Sequence, residues 1–171
     1  RAGNVIGGGD WSKDRLIPDC VKSWYKGKTA MIRSPNSVRP WQHVLDVING
    51  YIILASRLDE NKKFHGNNFN FGPKKNYSEA KVIDILKMIK SEWPAVKWKI
   101  KNDINLKETK LLKLVSQKSR TQLKWKQILT LNQTINFVSN WYQDYFSKYK
   151  KNDQITFNQI NIFKRMILKN R

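Results

Sequence analysis

The 171 residues include 33 Lys and Arg against 13 Asp and Glu, a formal charge of +20, and 40% are hydrophobic. That is enough apolar material for one domain with a core, and no run approaches the roughly 18 apolar residues of a membrane span. A single cysteine, Cys20, excludes an internal disulfide framework and fits a reducing, cytoplasmic setting.

A charge of +20 invites a nucleic-acid or other polyanion partner, which would make the chain a basic, non-enzymatic binding module. Its placement weighs against nucleic acid. Residues 1–60 hold 9 basic and 6 acidic side chains, and the remaining 24 and 7 lie where site-like motifs are fewest. There the lysines are scattered singly among Asn and Ile, as on a solvated surface.

In chain order, residues 1–6 read as the end of a buried strand that empties into Gly7-Gly8-Gly9. A helix is expected from Asp14, its capping residue, to Lys26, with Leu16, Ile17, Cys20, Val21 and Trp24 inward and Gly27 as its stop. Thr29–Arg33 reads as a strand, and Pro40 holds Arg39 extended within 38–43. The next helix, Val44–Leu58, should bury Val44, Val47, Ile48, Tyr51, Ala55 and Leu58. Asn68–Phe71 reads as a strand ending in a Gly-Pro turn, and Ser78 should cap a helix running to Glu92. Val96–Ile100 is expected as an edge strand, 110–114 as a second one, and 117–123 as a short helix. Long helices are expected over Asn132–Phe146 and Thr156–Lys169, the latter docked through Phe157, Ile160, Phe163 and Ile167. Strands alternating with helices make the fold class α/β.

Three consecutive glycines permit either a flexible loop or a close approach to a neighbour. Their spacing is not that of a dinucleotide fingerprint. His43 and His65 stand far apart, and no cluster has metal-ligand spacing. Arg15, Arg33 and Arg39 all fall at element ends, where guanidinium groups could converge on a diphosphate.

Five motifs carry a resemblance. They are Arg1-Ala-Gly-Asn-Val-Ile-Gly-Gly-Gly-Asp-Trp11, Asp14-Arg-Leu-Ile-Pro-Asp19, Ile32-Arg-Ser-Pro35, Arg39-Pro-Trp-Gln-His-Val-Leu-Asp46 and Asn70-Phe-Gly-Pro73. Together they resemble CDP-glucose 4,6-dehydratases, NAD-dependent enzymes of the extended short-chain dehydrogenase/reductase superfamily. More loosely, the likeness continues through 111–114, Trp125 and 140–142. It departs at Lys107, Val115, Lys124 and Gln127, all in the distal part.

The resemblance implies the C-terminal part of an extended Rossmann-type sugar-nucleotide dehydratase. Residues 1–150 would be the nucleotide-sugar-binding part with the last strands of the Rossmann sheet, and 151–171 an amphipathic terminal helix. It implies Arg1 and Asn4 at NAD, and Asn4, Arg15, Leu16, Ile32, Arg33, Arg39, Asn70 and Glu108 at the nucleotide sugar. The family reaction oxidises the glucosyl C4 with NAD, eliminates water across C5–C6 and returns the hydride to C6, giving CDP-4-keto-6-deoxyglucose. The family's glycine-rich NAD loop finds no counterpart in these residues. The chain is therefore expected to be the second half of a homodimeric enzyme, inactive alone. A related dehydratase or epimerase acting on a dTDP- or GDP-sugar is the alternative within the class.

Overall fold

The computed structural model describes residues 1–74, 79–101, 109–147 and 151–169. Its strands are β1 (Asn4–Ile6), β2 (Ala30–Ile32), β3 (Val38–His43), β4 (Glu79–Lys81) and β5 (Trp98–Ile100). Its α-helices are α1 (Leu16–Tyr25), α2 (Val44–Glu60), α3 (Val82–Glu92), α4 (Gln117–Gln122), α5 (Leu131–Ser147) and α6 (Asn152–Lys169). β1 runs parallel to β3, with Asn4 opposite Trp41, and β4 pairs antiparallel on the other side of β3. A second, two-stranded sheet pairs β2 parallel with β5. Parallel neighbours need long crossovers, which α1 and α3 occupy.

The main core lies between α1, α3 and α5 and includes Ile17, Val21, Ile85, Leu86, Ile135 and Tyr142. A second cluster, Phe64, Phe69, Phe71, Leu123 and Trp125, packs under α2. A third joins Leu129, Phe137 and Phe163, seating α6 on α5.

Several local expectations are corrected, among them the strands expected at Asn68–Phe71 and 110–114, where only isolated bridges form, Ala2 with Phe71 and Val38 with Leu111. Asp14 does not cap α1. It sits at φ 60°, a left-handed conformation that Asp tolerates, and Arg15 takes the cap position with extended backbone. Gly27 does end α1, at φ 67°. Its N–H donates to the Trp24 carbonyl and that of Lys28 to Ser23, the pattern of a left-handed helix stop. The helix expected from Ser78 begins instead at Val82, because 79–81 pair with β3 as β4; Ser78 itself lies outside the described residues.

The apolar stripe of α2 is not the buried one. Ile48, Tyr51 and Ile52 are exposed, and the helix buries Asp46, Val47 and Gly50. Phe71 and Trp125 press so closely on Gly50 that a side chain there would overlap them. α2 thus turns its smallest residue to the core. On α6, Phe157 faces outward and Ile155 takes its place in the core.

A row of buried polar side chains crosses the β3–α2 junction: Gln42, His43 and Asp46, each at most 1% exposed. Asp46 accepts hydrogen bonds from the backbone N–H groups of Ile128 (2.7 Å) and Leu129 (3.3 Å). It therefore fixes a distant loop, 128–129. His43 Nδ1 accepts from the Leu45 N–H and caps α2. Burial pushes the Asp46 carboxyl up to about 6 and the His43 imidazole down to about 4.

These two shifts act on stability with opposite sign. Between about pH 4 and 6 the unfolded chain holds a proton on His43 that the folded chain lacks, so this contribution stabilises as pH rises. In the same window the folded chain keeps a proton on Asp46 that the unfolded chain has lost, so that contribution falls as pH rises. The two nearly cancel. Asp46→Asn, whose amide can accept from only one of the two N–H groups, should destabilise by about 1–3 kcal/mol in urea unfolding. Relative to the wild type it should also gain stability as pH rises from about 4 to 6, because only the His43 contribution remains.

Candidate functional site

A cavity of about 780 Å³ opens between the β1–α1 loop, the start of α1, β2 and β3. It lies within the size range of small-molecule sites. Asn4, Arg15, Leu16, Ile32, Arg33 and Arg39 all line it. The structure thus brings together six residues that the resemblance names for the nucleotide sugar.

Each arrives by a different local device. Asn4 opens β1, and its side chain has no hydrogen-bond partner among the described residues. Arg15 precedes α1, where the N–H groups of Leu16 and Ile17 have no intrahelical acceptor; Pro18 has none to offer, and the Asp19 N–H bonds to the Arg15 carbonyl. Such a helix start, with its positive dipole end, favours an anion. Ile32 closes β2 with its side chain buried, and Arg33 leaves the strand exposed, with no hydrogen-bond or ionic partner among the described residues.

Arg39 is engaged. Its Nη1 donates to the carbonyls of Val38 (3.0 Å) and Thr109 (2.7 Å), tying β3 to the segment beyond β5. Its reach into the cavity is set by those bonds. Trp41 beside it is 3% exposed and donates through Nε1 to the Ala80 carbonyl, a packing position.

Two expected residues stand elsewhere. Arg1 is exposed and does not line the cavity. Asn70 also lies outside the cavity lining; its amide donates to the Val115 carbonyl at 3.0 Å, and Ser116 and Arg120 pin the adjacent Gly72 carbonyl. Glu108 lies outside the described residues.

The cavity also has residues that sequence reasoning did not select: Asp10, Lys13, Met31 and Lys101 among them. Lys101 follows β5 as Arg33 follows β2, and its N–H donates to the Ile32 carbonyl. The strand-end pattern that picked out Arg33 was equally present there. Among the described residues, five basic side chains and three acidic ones line the cavity, a balance suited to a ligand of net negative charge. Burial raises the Asp10 carboxyl, but hydrogen bonds from Ser12 and the charges of Arg15 and Lys22 outweigh it and hold Asp10 low. Cys20 is pushed up to about 12 by burial, so it stays a neutral thiol. No cluster of metal-ligating side chains occurs among the described residues, and no helix is long and apolar enough to cross a membrane.

The glycine loop approaches the protein itself. A side chain on Gly8 would lie inside the Trp141 ring, and one on Gly7 would overlap Val44. Gly9 adopts φ 78° against the same Trp141 ring. The loop therefore docks α5 and leaves no room there to cradle a dinucleotide.

No protein-family model matches the chain. In sequence it is 40% identical over 146 residues to CDP-glucose 4,6-dehydratase of Salmonella typhimurium, a match that covers 84% of this chain and 40% of that protein. In structure it resembles UDP-glucuronic acid 4-epimerase from Bacillus cereus, solved with UDP-glucuronic acid and NAD, at a TM-score of 0.71 and 18% identity over 85% of this chain and 44% of that one. It also resembles dTDP-glucose 4,6-dehydratase from Bacillus anthracis in complex with NAD, at a TM-score of 0.64 and 16% identity over 87% of this chain and 45% of that one. The chain thus spans about two-fifths of the length of its curated relative.

One substitution tests the packing of this site. Gly8→Ala should cost about 3 kcal/mol in chemical denaturation, because Trp141 cannot retreat without displacing α5. By sequence the chain is similar to CDP-glucose 4,6-dehydratase, and its fold is the extended Rossmann-type α/β architecture of the sugar-nucleotide epimerases and dehydratases.

Proposed function

We propose that this chain supplies the nucleotide-sugar-binding part of an NAD-dependent CDP-glucose 4,6-dehydratase, which forms CDP-4-keto-6-deoxyglucose. The observation that carries the reading is the convergence of Asn4, Arg15, Leu16, Ile32, Arg33 and Arg39 on one cavity. In this reading the diphosphate lies between Arg15, Arg33 and the free N–H groups that start α1, because a guanidinium fork matches phosphate oxygens. Arg39, bonded to Val38 and Thr109, is held in a fixed position at the cavity wall. Asn4 faces the sugar, and its unpaired amide can both donate and accept at a hydroxyl or a carbonyl.

The fit to NAD is partial. Asn4 can border the nicotinamide end, but the Gly7–Gly9 loop is filled by Trp141 and Val44, and Arg1 stands outside the cavity. When bound, NAD supplies the hydride acceptor and donor for the reaction. The residues of this chain bind and orient the substrate; burial keeps Cys20 neutral, and His43 does not line the cavity. The wider enzyme is taken to be a homodimer, as the resemblance implies.

A second reading keeps the class and changes the sugar nucleotide, favoured by the structural likeness to an epimerase solved with UDP-glucuronic acid. Calorimetric titration with CDP-glucose, UDP-glucuronic acid and dTDP-glucose separates the two. Tightest binding of CDP-glucose, weakened about tenfold or more by Arg33→Ala, is the expected result. Preference for another nucleotide sugar would transfer the assignment, and loss of binding to all of them would end it. Incubated with CDP-glucose and NAD, this chain alone should yield no 4-keto sugar; turnover would show that it holds the whole active site.

A further inference from the structure

The wall of the cavity that bears Arg15 is held from outside the cavity. The loop from Gly7 to Arg15 contains two left-handed residues, Gly9 and Asp14, and none of its residues belongs to a helix or strand. The α5 helix clamps it. Trp141 lies on Gly8 and Gly9. Trp11 packs edge-on against Tyr142 and also contacts Tyr145 and Phe146. The Tyr142 hydroxyl, on a residue with no exposed surface, donates to the Asp10 carbonyl at 2.7 Å, with the Gly7 carbonyl 3.4 Å away. Burial raises the phenol well above its ordinary range, so it remains a donor at any pH the protein tolerates.

From this geometry we propose that Tyr142 is a positioning residue for the anion site: its hydroxyl holds the Gly7–Arg15 loop so that Arg15 and the start of α1 meet the ligand preorganised. Tyr142 does not line the cavity and acts only through the loop. The inference rests on the nucleotide-diphosphate reading above and deepens it. Without the hydroxyl the loop keeps its ring contacts but loses the hydrogen bond at its Asp10 carbonyl, and the ligand must order Arg15 as it binds.

The probe is CDP, titrated calorimetrically into the wild type, Tyr142→Phe, Arg15→Ala and the double variant, with hydrogen exchange of residues 7–15 read in each free protein. Tyr142→Phe should weaken CDP binding about fivefold, the worth of one hydrogen bond, and raise exchange in the loop. In the Arg15→Ala background the same change should cost less, because one of the groups it positions is gone. An equal loss in both backgrounds would mark general loosening and overturn the inference, as would unchanged affinity in Tyr142→Phe. Failure of the wild type to bind CDP would sink the nucleotide-sugar reading and this inference with it, whereas wild-type binding untouched by Tyr142→Phe sinks the inference alone.

Discussion

The position of a single ring governs this molecule. Trp141 lies where a side chain on Gly8 would have to be, and that exclusion fixes α5 against the end of β1. From there the constraint spreads. Tyr142, one residue on, reaches the loop carbonyls, and Trp141 Nε1 donates to the Thr156 hydroxyl at 3.0 Å, drawing in α6. Gln159 on α6 closes the arrangement with a bond to the Phe137 carbonyl. The glycines are therefore conformational and steric necessities of packing, and the ligand cavity lies on the other side of the loop they form.

A second junction lies just past the same end of β3. Asp46 satisfies two backbone donors from a loop about eighty residues away, and Trp125 donates to the Asp46 carbonyl at 3.2 Å. Buried polar groups of this kind are stabilising only when paired. Gln42 follows the rule on one side, donating to the Phe71 carbonyl, and leaves its Oε1 without a partner. The row Gln42, His43, Asp46 thus trades hydrophobic burial for directional contacts that set where the 70–72 turn and the 128–129 loop must lie.

Much of this was legible in the sequence, for identifiable reasons. α1 was readable because its apolar residues recur at helical spacing up to a glycine that ends it. Cavity-lining residues were readable where cations fall at element ends, as Arg15 and Arg33 do. The start of α3 was hidden, since only the cross-strand ladder to Val38 and Pro40 makes 79–81 a strand. The buried side of α2 was hidden because it is chosen by the room that Gly50 leaves, whereas hydrophobic spacing pointed to Ile48 and Tyr51. Glycines that serve a tryptophan 133 or so residues later cannot be told by local pattern from glycines that serve a ligand.

The hydrogen bond between Tyr142 and Asp10 joins residues 132 positions apart. As the chain leaves the ribosome, the loop beside Arg15 is made well before α5, and it lacks its aromatic support until that helix has followed it out. That wall of the cavity is thus synthesised well before the helix that fixes it. That order delays a settled cavity wall until α5 has emerged, and it leaves the loop's Trp11 without its aromatic partners during the interval in which incomplete chains are most exposed to misassociation.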